Sequence, residues 1–261
     1  KATLSYPFHI NNQEIRLGVS VGIFAIVAVF TAVDSLNSKI RSEIDSFAGT
    51  GVLYVGKWPW IMSNNYPWWK YLSRPVSSPT EANFLESKLS KDRAANVAYN
   101  FDRQEKVAAN GVTLEGTTVV CVSHGYLEIQ NLSVETGRLF TLEESSGGQP
   151  VAILGSTIAQ QLFGGGNAVG SSIRIGNRVC RIIGVCAVEG TSIINNSRDE
   201  RVFLPLKMGL GMYSFRENDN AQVMVQAKAG VDLDDLAVDV TQLMRQYRKL
   251  KPGKEANFAV N

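Results

Sequence analysis

The chain has 261 residues, enough for one or two domains at ~150 residues each. Its formal charge is +2, with 26 Lys and Arg against 24 Asp and Glu, which excludes a strongly basic nucleic-acid binder. Apolar residues make up 44% and charged residues 19%, which argues against a disordered chain, and a mean hydropathy of −0.04 is too polar for a polytopic membrane protein.

One segment departs from that mean. Residues 17–33 (LGVSVGIFAIVAVFTAV) carry no charge between Arg16 and Asp34. At ~1.5 Å per residue a helix of this length covers most of a ~30 Å hydrocarbon core. Only Ser20 and Thr31 are polar, whereas a buried soluble helix keeps a polar stripe. A signal peptide has a shorter apolar region and a small-residue cleavage site, and no clear site follows. The run therefore reads as a retained transmembrane helix. Lys1 and Arg16 precede it and favour a cytoplasmic N-terminus. Beyond it, Leu36, Ile40, Ile44 and Phe47 recur on one helical stripe, which reads as a stalk leaving the membrane; a separate amphipathic surface helix is the alternative.

Residues 51–60 (GVLYVGKWPW) read as a strand ended by Pro59, followed by an aromatic loop. Ser78, Pro79 and Glu81 form a capping box with proline at the first helical position, so the spacing predicts a helix over residues 79–91. Residues 96–109 are strand-like. From residue 112 to 203 short β-rich runs alternate with glycine turns, interrupted by one helix that Ser156 caps and Gly164 stops. Residues 222–228 read as a strand. Asp232 then caps a helix whose face is Leu233, Leu236, Ala237, Val240, Leu243, Met244 and Tyr247. Residues 256–260 supply a last strand. Two strand–helix–strand units thus flank a β-rich insert.

No catalytic constellation is legible. Ser123 and His124 are neighbours on an expected strand and point to opposite faces. Cys180 and Cys186, six apart on one strand, share a face some ~20 Å apart, too far for a bridge; a bridge from Cys121 stays open. Residues 165–172 (GGNAVGSS) have Ser where a phosphate-binding loop needs Lys, and precede a strand rather than a helix. Glu143-Glu144 and Asp199-Glu200 read as solvated loop acids. No catalytic, cofactor-binding or metal-ligating residue is assigned, no cofactor is expected, and the chain reads as a non-enzyme. All four tryptophans lie between Trp58 and Trp69. A satellite core, a carbohydrate or partner platform, and a membrane-interface belt are the readings, with Tyr66, Trp68 and Trp69 as the partner surface. Trp58 or Trp60 is expected to be largely buried, and at least one of Trp68 and Trp69 exposed.

Residues 131–190 carry a run of features in a specific order: Gly137-Arg138 before Phe140, Val151 to Gly155, Leu162 to Gly164, Val169-Gly170 with Ile173, Ile183 to Val185, and then Val202 to Leu206 (VFLPL). This resembles the periplasmic core domain of MacB/FtsX-type ABC transporter permeases, and residues 18–36 are similar to that family's first transmembrane helix entering its stalk. The resemblance implies an α+β fold: an N-terminal cytoplasmic segment (1–16), the transmembrane helix and stalk (17–48), a porter-like domain in two units (49–111 and 219–261), and a Sabre-like β-rich insert (112–218). It also implies three further transmembrane helices beyond Asn261. The function implied is a permease subunit of the bacterial inner membrane, mostly periplasmic. A separate ATPase subunit drives it, it pairs with an identical or different permease, and a periplasmic adaptor or envelope partner is a further candidate. The residues picked for coupling are the stalk stripe Leu36, Ile40 and Ile44, together with the Gly137-Arg138 turn. The rival reading is a membrane-anchored binding module using the Trp-rich loop.

Overall fold

The computed structural model describes residues 23–24, 26–31, 51–60, 68–189, 197–214 and 220–261. The chain divides into two units, residues 1–49 and 50–261. In the first, residues 23–24 and 26–31 are helical with exposed side chains, and the Thr31 hydroxyl donates to the Val27 carbonyl at 2.8 Å. Among the described residues no helix is long and apolar enough to cross a membrane. The rest of the apolar run and the stalk stripe Leu36, Ile40 and Ile44 lie outside the described residues.

The second unit begins with β1 (Val52–Gly56), a short helix α1 (Trp68–Leu72) and α2 (Pro79–Lys88). The α2 capping box forms: Ser78 N–H donates to Glu81 at 2.9 Å and Glu81 N–H to the Ser78 hydroxyl at 3.4 Å. The long strand β2 (Ala94–Ala109) turns at Asn110-Gly111 into β3 (Val112–Val122). At the other end of the chain, β9 (Asn220–Ala227) leads through α7 (Leu233–Tyr247) to β10 (Ala259–Val260), and Asp232 caps α7 by accepting from Asp234 N–H at 2.8 Å. The sheet order here is β10-β1-β9-β2, all antiparallel, so the first and last segments interleave. Helices α2 and α7 pack on one face through Leu85, Leu236, Val240 and Met244, all fully buried.

Between β3 and β9 lie α3 (His124–Ile129), β4 (Val134–Gly137), α4 (Leu142–Gly147), β5 (Val151–Leu154), α5 (Ser156–Phe163), β6 (Ser172–Ile175), β7 (Arg178–Cys186), a 3₁₀ turn (Arg198–Glu200), β8 (Arg201–Pro205) and α6 (Leu206–Met212). Strands β2, β3, β8, β5, β7 and β6 pair in that order, and β6 returns to β2 through Val107↔Ile175 and Ala108↔Arg174. The ring is a closed barrel, which leaves its strands no free edges. Val107, Val119, Leu154, Ile173, Ile175, Cys180, Ile182 and Leu204 are buried in the main core on its inner side. A second core on the opposite side of the sheet gathers Tyr126, Ile129, Phe140, Ile153 and Phe203 beneath α3.

Several local expectations change. The α5 N-cap is Gly155, not Ser156, because the backbone turns into the helix one residue earlier; Gly164 ends it in the left-handed conformation, as its position predicts. His124 opens α3 rather than extending β3. Ser123 stops the strand because its hydroxyl accepts from Tyr99 N–H at 2.9 Å while its own N–H donates to the Tyr99 carbonyl. Cys180 and Cys186 do not share a face. β5 registers Ala152 on Ile182 but Ile153 on Gly184, so one extra residue in β7 reverses the alternation. Cys180 belongs to the main core and Cys186 to the second.

Candidate functional site

The Gly137-Arg138 turn is built by two glycines meeting. Gly137 ends β4 at φ 84° directly opposite Gly184 of β7. A Cβ on Gly137 would run into the Ile183 carbonyl, and one on Gly184 would sit 2.6 Å from the Arg138 carbonyl. With both side chains absent, Arg138 N–H reaches the Ile183 carbonyl at 3.0 Å. The Arg138 guanidinium then grips Glu144 at 2.6 and 2.7 Å. Glu144 also accepts from Thr141 N–H at 2.9 Å and returns its own N–H to the Thr141 hydroxyl at 3.2 Å, closing a capping box on α4. These donors, Arg138 first, hold the Glu144 carboxyl at about 2. Glu144 is therefore not the solvated loop acid its sequence context implied. The turn fixes β4, α4 and the buried Phe140 in one arrangement.

Beside the turn a groove of about 980 Å³ runs between Thr136 of β4, Thr157 and Gln160 of α5, and Asn167, with Val185 as an apolar patch of its lining. Asp199 also lines it and is buried, again against expectation: the 3₁₀ turn carries it inward, where it accepts from Glu189 N–H at 3.1 Å. Among the described residues the groove's lining carries hydroxyl, amide and carboxylate groups, with no histidine, cysteine or lysine. Among the described residues no three His, Cys, Asp or Glu side chains gather as metal ligands. Cys121, Cys180 and Cys186 are free and buried, and burial pushes the Cys180 thiol up to about 11 and the Cys186 thiol up to about 12. Residues 165–172 lead into β6, as the sequence implied.

The aromatic segment is a surface. Trp58 is 37% exposed and Trp60 56%, so neither is largely buried, contrary to expectation. β1 ends at Gly56, and past that point strand alternation no longer turns side chains into the core. Trp60 rests on Tyr54 at 4.8 Å, and its N–H donates to Asn261 at 2.9 Å. Trp68 is 55% and Trp69 60% exposed, as expected for at least one of them, with their rings edge to face at 6.0 Å. Arg74 covers Tyr71 at 4.4 Å. Tyr66 lies outside the described residues.

The order of these features can now be set against known proteins. The family model described as the MacB-like periplasmic core domain matches residues 16–243. The chain belongs to that family. Among curated relatives, a macrolide export ATP-binding/permease protein MacB of Azoarcus sp. is 25% identical over 231 residues, covering 88% of this chain and 33% of that protein. The ABC transporter permease YknZ of Bacillus subtilis is 21% identical over 236 residues, covering 87% of this chain and 55% of that protein. The chain thus spans between a third and about half of these relatives. The periplasmic region of MacB from Actinobacillus actinomycetemcomitans has the same fold, with a TM-score of 0.65 at 16% identity over 82% of this chain and 89% of that one. The extracellular domain of YknZ gives 0.61 at 19% identity, over 80% and 99%. The mixed α+β fold is therefore that of a MacB-like periplasmic domain, and the comparisons lend no support to the rival of an anchored binding module.

Proposed function

We propose that the chain is the first transmembrane helix plus the periplasmic domain of an ABC transporter permease subunit in the bacterial inner membrane. The observation that carries the reading is the single family match, which runs from the apolar segment at residue 16 through the barrel and into α7. The chain is not itself an enzyme on this reading: a separate ATPase subunit hydrolyses ATP in the cytoplasm. The helix of residues 17–33 and the stalk stripe Leu36, Ile40 and Ile44 carry that change outward, within a dimer of permeases, for efflux or envelope export. β1-α2-β2 and β9-α7-β10 form a porter-like part, with residues 112–218 as its Sabre-like insert and a periplasmic adaptor as a further partner. Coupling of this kind needs a two-state element that nucleotide binding biases. The names of the MacB and YknZ relatives support the transporter role.

The test is Ile40→Asp with Ile44→Asp in the complete permease, co-expressed with its ATPase. Transport should fall while the thermal unfolding of the external domain is unchanged. Full transport in the variant, or a domain that unfolds, rejects the stalk as the coupling element.

A further inference from the structure

The barrel has a bare side. Its β6–β7 hairpin sends Ile173, Ile175, Cys180 and Ile182 inward, each at most 1% exposed. Ser172, Arg174, Val179 and Arg181 alternate with them and point out. Register makes them one face: Arg174 stands opposite Val179 and beside Ala108 of β2, and Ser172 opposite Arg181. Residues directly opposite on paired strands lie ~5 Å apart and diagonal ones ~7–8 Å, so Arg174 and Arg181 are near neighbours of like charge. Arg178 opens the same strand opposite Ile175 and in phase with Cys180, so it lies off this face. Among the described residues neither Arg174 nor Arg181 has an ion pair, and Glu115, an acid on the adjoining hairpin, is held by Lys106 at 2.6 Å. Val179, between the arginines, is 51% exposed.

We propose that this face docks a partner protein through a carboxylate-bearing surface. Two like charges side by side with no acid between them cost energy until an opposite charge arrives. Planar guanidiniums take carboxylates in two-pronged pairs, and the small neighbours Ala108, Ser172 and Val179 let a partner approach the sheet closely. An anionic membrane is disfavoured by number: lipid-binding clusters carry about 4–8 cations, each worth ~1 kcal/mol, and this face has two unpaired ones, Arg174 and Arg181. The proposal does not depend on the transport reading, since it rests on the face alone.

The test uses the full chain and two probes: a short synthetic peptide alternating Glu and Val, and vesicles of phosphatidylcholine with phosphatidylglycerol. The wild type should bind the peptide at low salt, and binding should weaken about ten-fold or more in Arg174→Glu/Arg181→Glu, and less in Arg174→Gln/Arg181→Gln. Raising salt should weaken it as well. The control Lys88→Glu, on the exposed face of α2, should bind like wild type, and all variants should keep the native circular dichroism. Absence of peptide binding, or equal loss in the Lys88 control, overturns the proposal. Vesicle binding that falls with the two arginines while peptide binding does not assigns the face to lipid and overturns it too.

Discussion

Glu81 and Arg248, 167 residues apart, meet in a buried two-pronged ion pair, with Nε to Oε1 at 2.7 Å and Nη2 to Oε2 at 3.2 Å. Their side chains are 5% and 6% exposed. The same glutamate caps α2, and the same arginine donates to the Asn257 carbonyl at 2.8 Å ahead of β10. The pair therefore ties the start of the first strand–helix–strand segment to the end of the last. Removing one partner leaves a buried charge alone, so Arg248→Met should cost about 3–5 kcal/mol. Glu81→Gln with Arg248→Met should cost less than the sum of the single changes. Urea unfolding of all three variants measures this, and strict additivity would show that the two residues act independently.

The glycine pair of the β4–β7 contact predicts a steric effect rather than an electrostatic one. Gly137→Ala and Gly184→Ala each force backbone apart and should destabilise by about 2–4 kcal/mol. Gly211 in α6 has open space where a Cβ would go, and Gly211→Ala should change stability by less than about 1 kcal/mol. Thermal unfolding of the three variants is the check, and equal effects at all three positions would refute the close-approach account.

Both arginine-bound glutamates show what was readable in the sequence. Ser78-x-x-Glu81 announced its capping box, and the helix starts there. Thr141-x-x-Glu144 has the same spacing and does the same job, yet lies in a Gly- and Ser-rich stretch that reads as loop. That signal could have found α4. The arginine partners were not legible, because a pair six or 167 residues apart leaves no local pattern. The alternating apolar runs gave β5 through β8 by their positions. Ring closure did not show, since it depends on two residue pairs between β2 and β6, and no periodicity encodes a partner strand. Tryptophan burial failed for a related reason. Apolar character implied a core, while the position of the tryptophans past the end of β1 put them at the surface.

The Arg138–Glu144 grip predicts a pH dependence. The Glu144 carboxyl is held at about 2 in the folded chain, against ~4.3 for an ordinary glutamate in the unfolded one. The folded value is the lower, so the stabilisation is complete above the unfolded value and is lost as pH falls from about 5 to about 2. Arg138 is half exposed, so solvent screening limits the effect to about 1 kcal/mol. The difference in stability between wild type and Glu144→Gln should shrink across that range. A difference that is constant down to about pH 2 would mean the pair contributes nothing through charge.

The four tryptophans give the last prediction. They are the only ones in the chain, so intrinsic tryptophan emission reports on this segment alone. With all four between 37% and 60% exposed, emission should lie close to that of tryptophan in water and be quenched readily by acrylamide. The four should not be equivalent in energy. Trp68 and Trp69 are 55% and 60% exposed, with their rings edge to face, so Trp68→Ala or Trp69→Ala should shift stability by less than about 0.5 kcal/mol. Trp60 lies against Tyr54 of β1, an aromatic contact worth about 0.5–1.5 kcal/mol, and Trp60→Ala should cost about that much. Blue-shifted, quencher-resistant emission from the isolated chain would contradict the exposed arrangement. A larger cost for Trp68→Ala than for Trp60→Ala would make the Trp68–Trp69 pair part of a core instead of a surface.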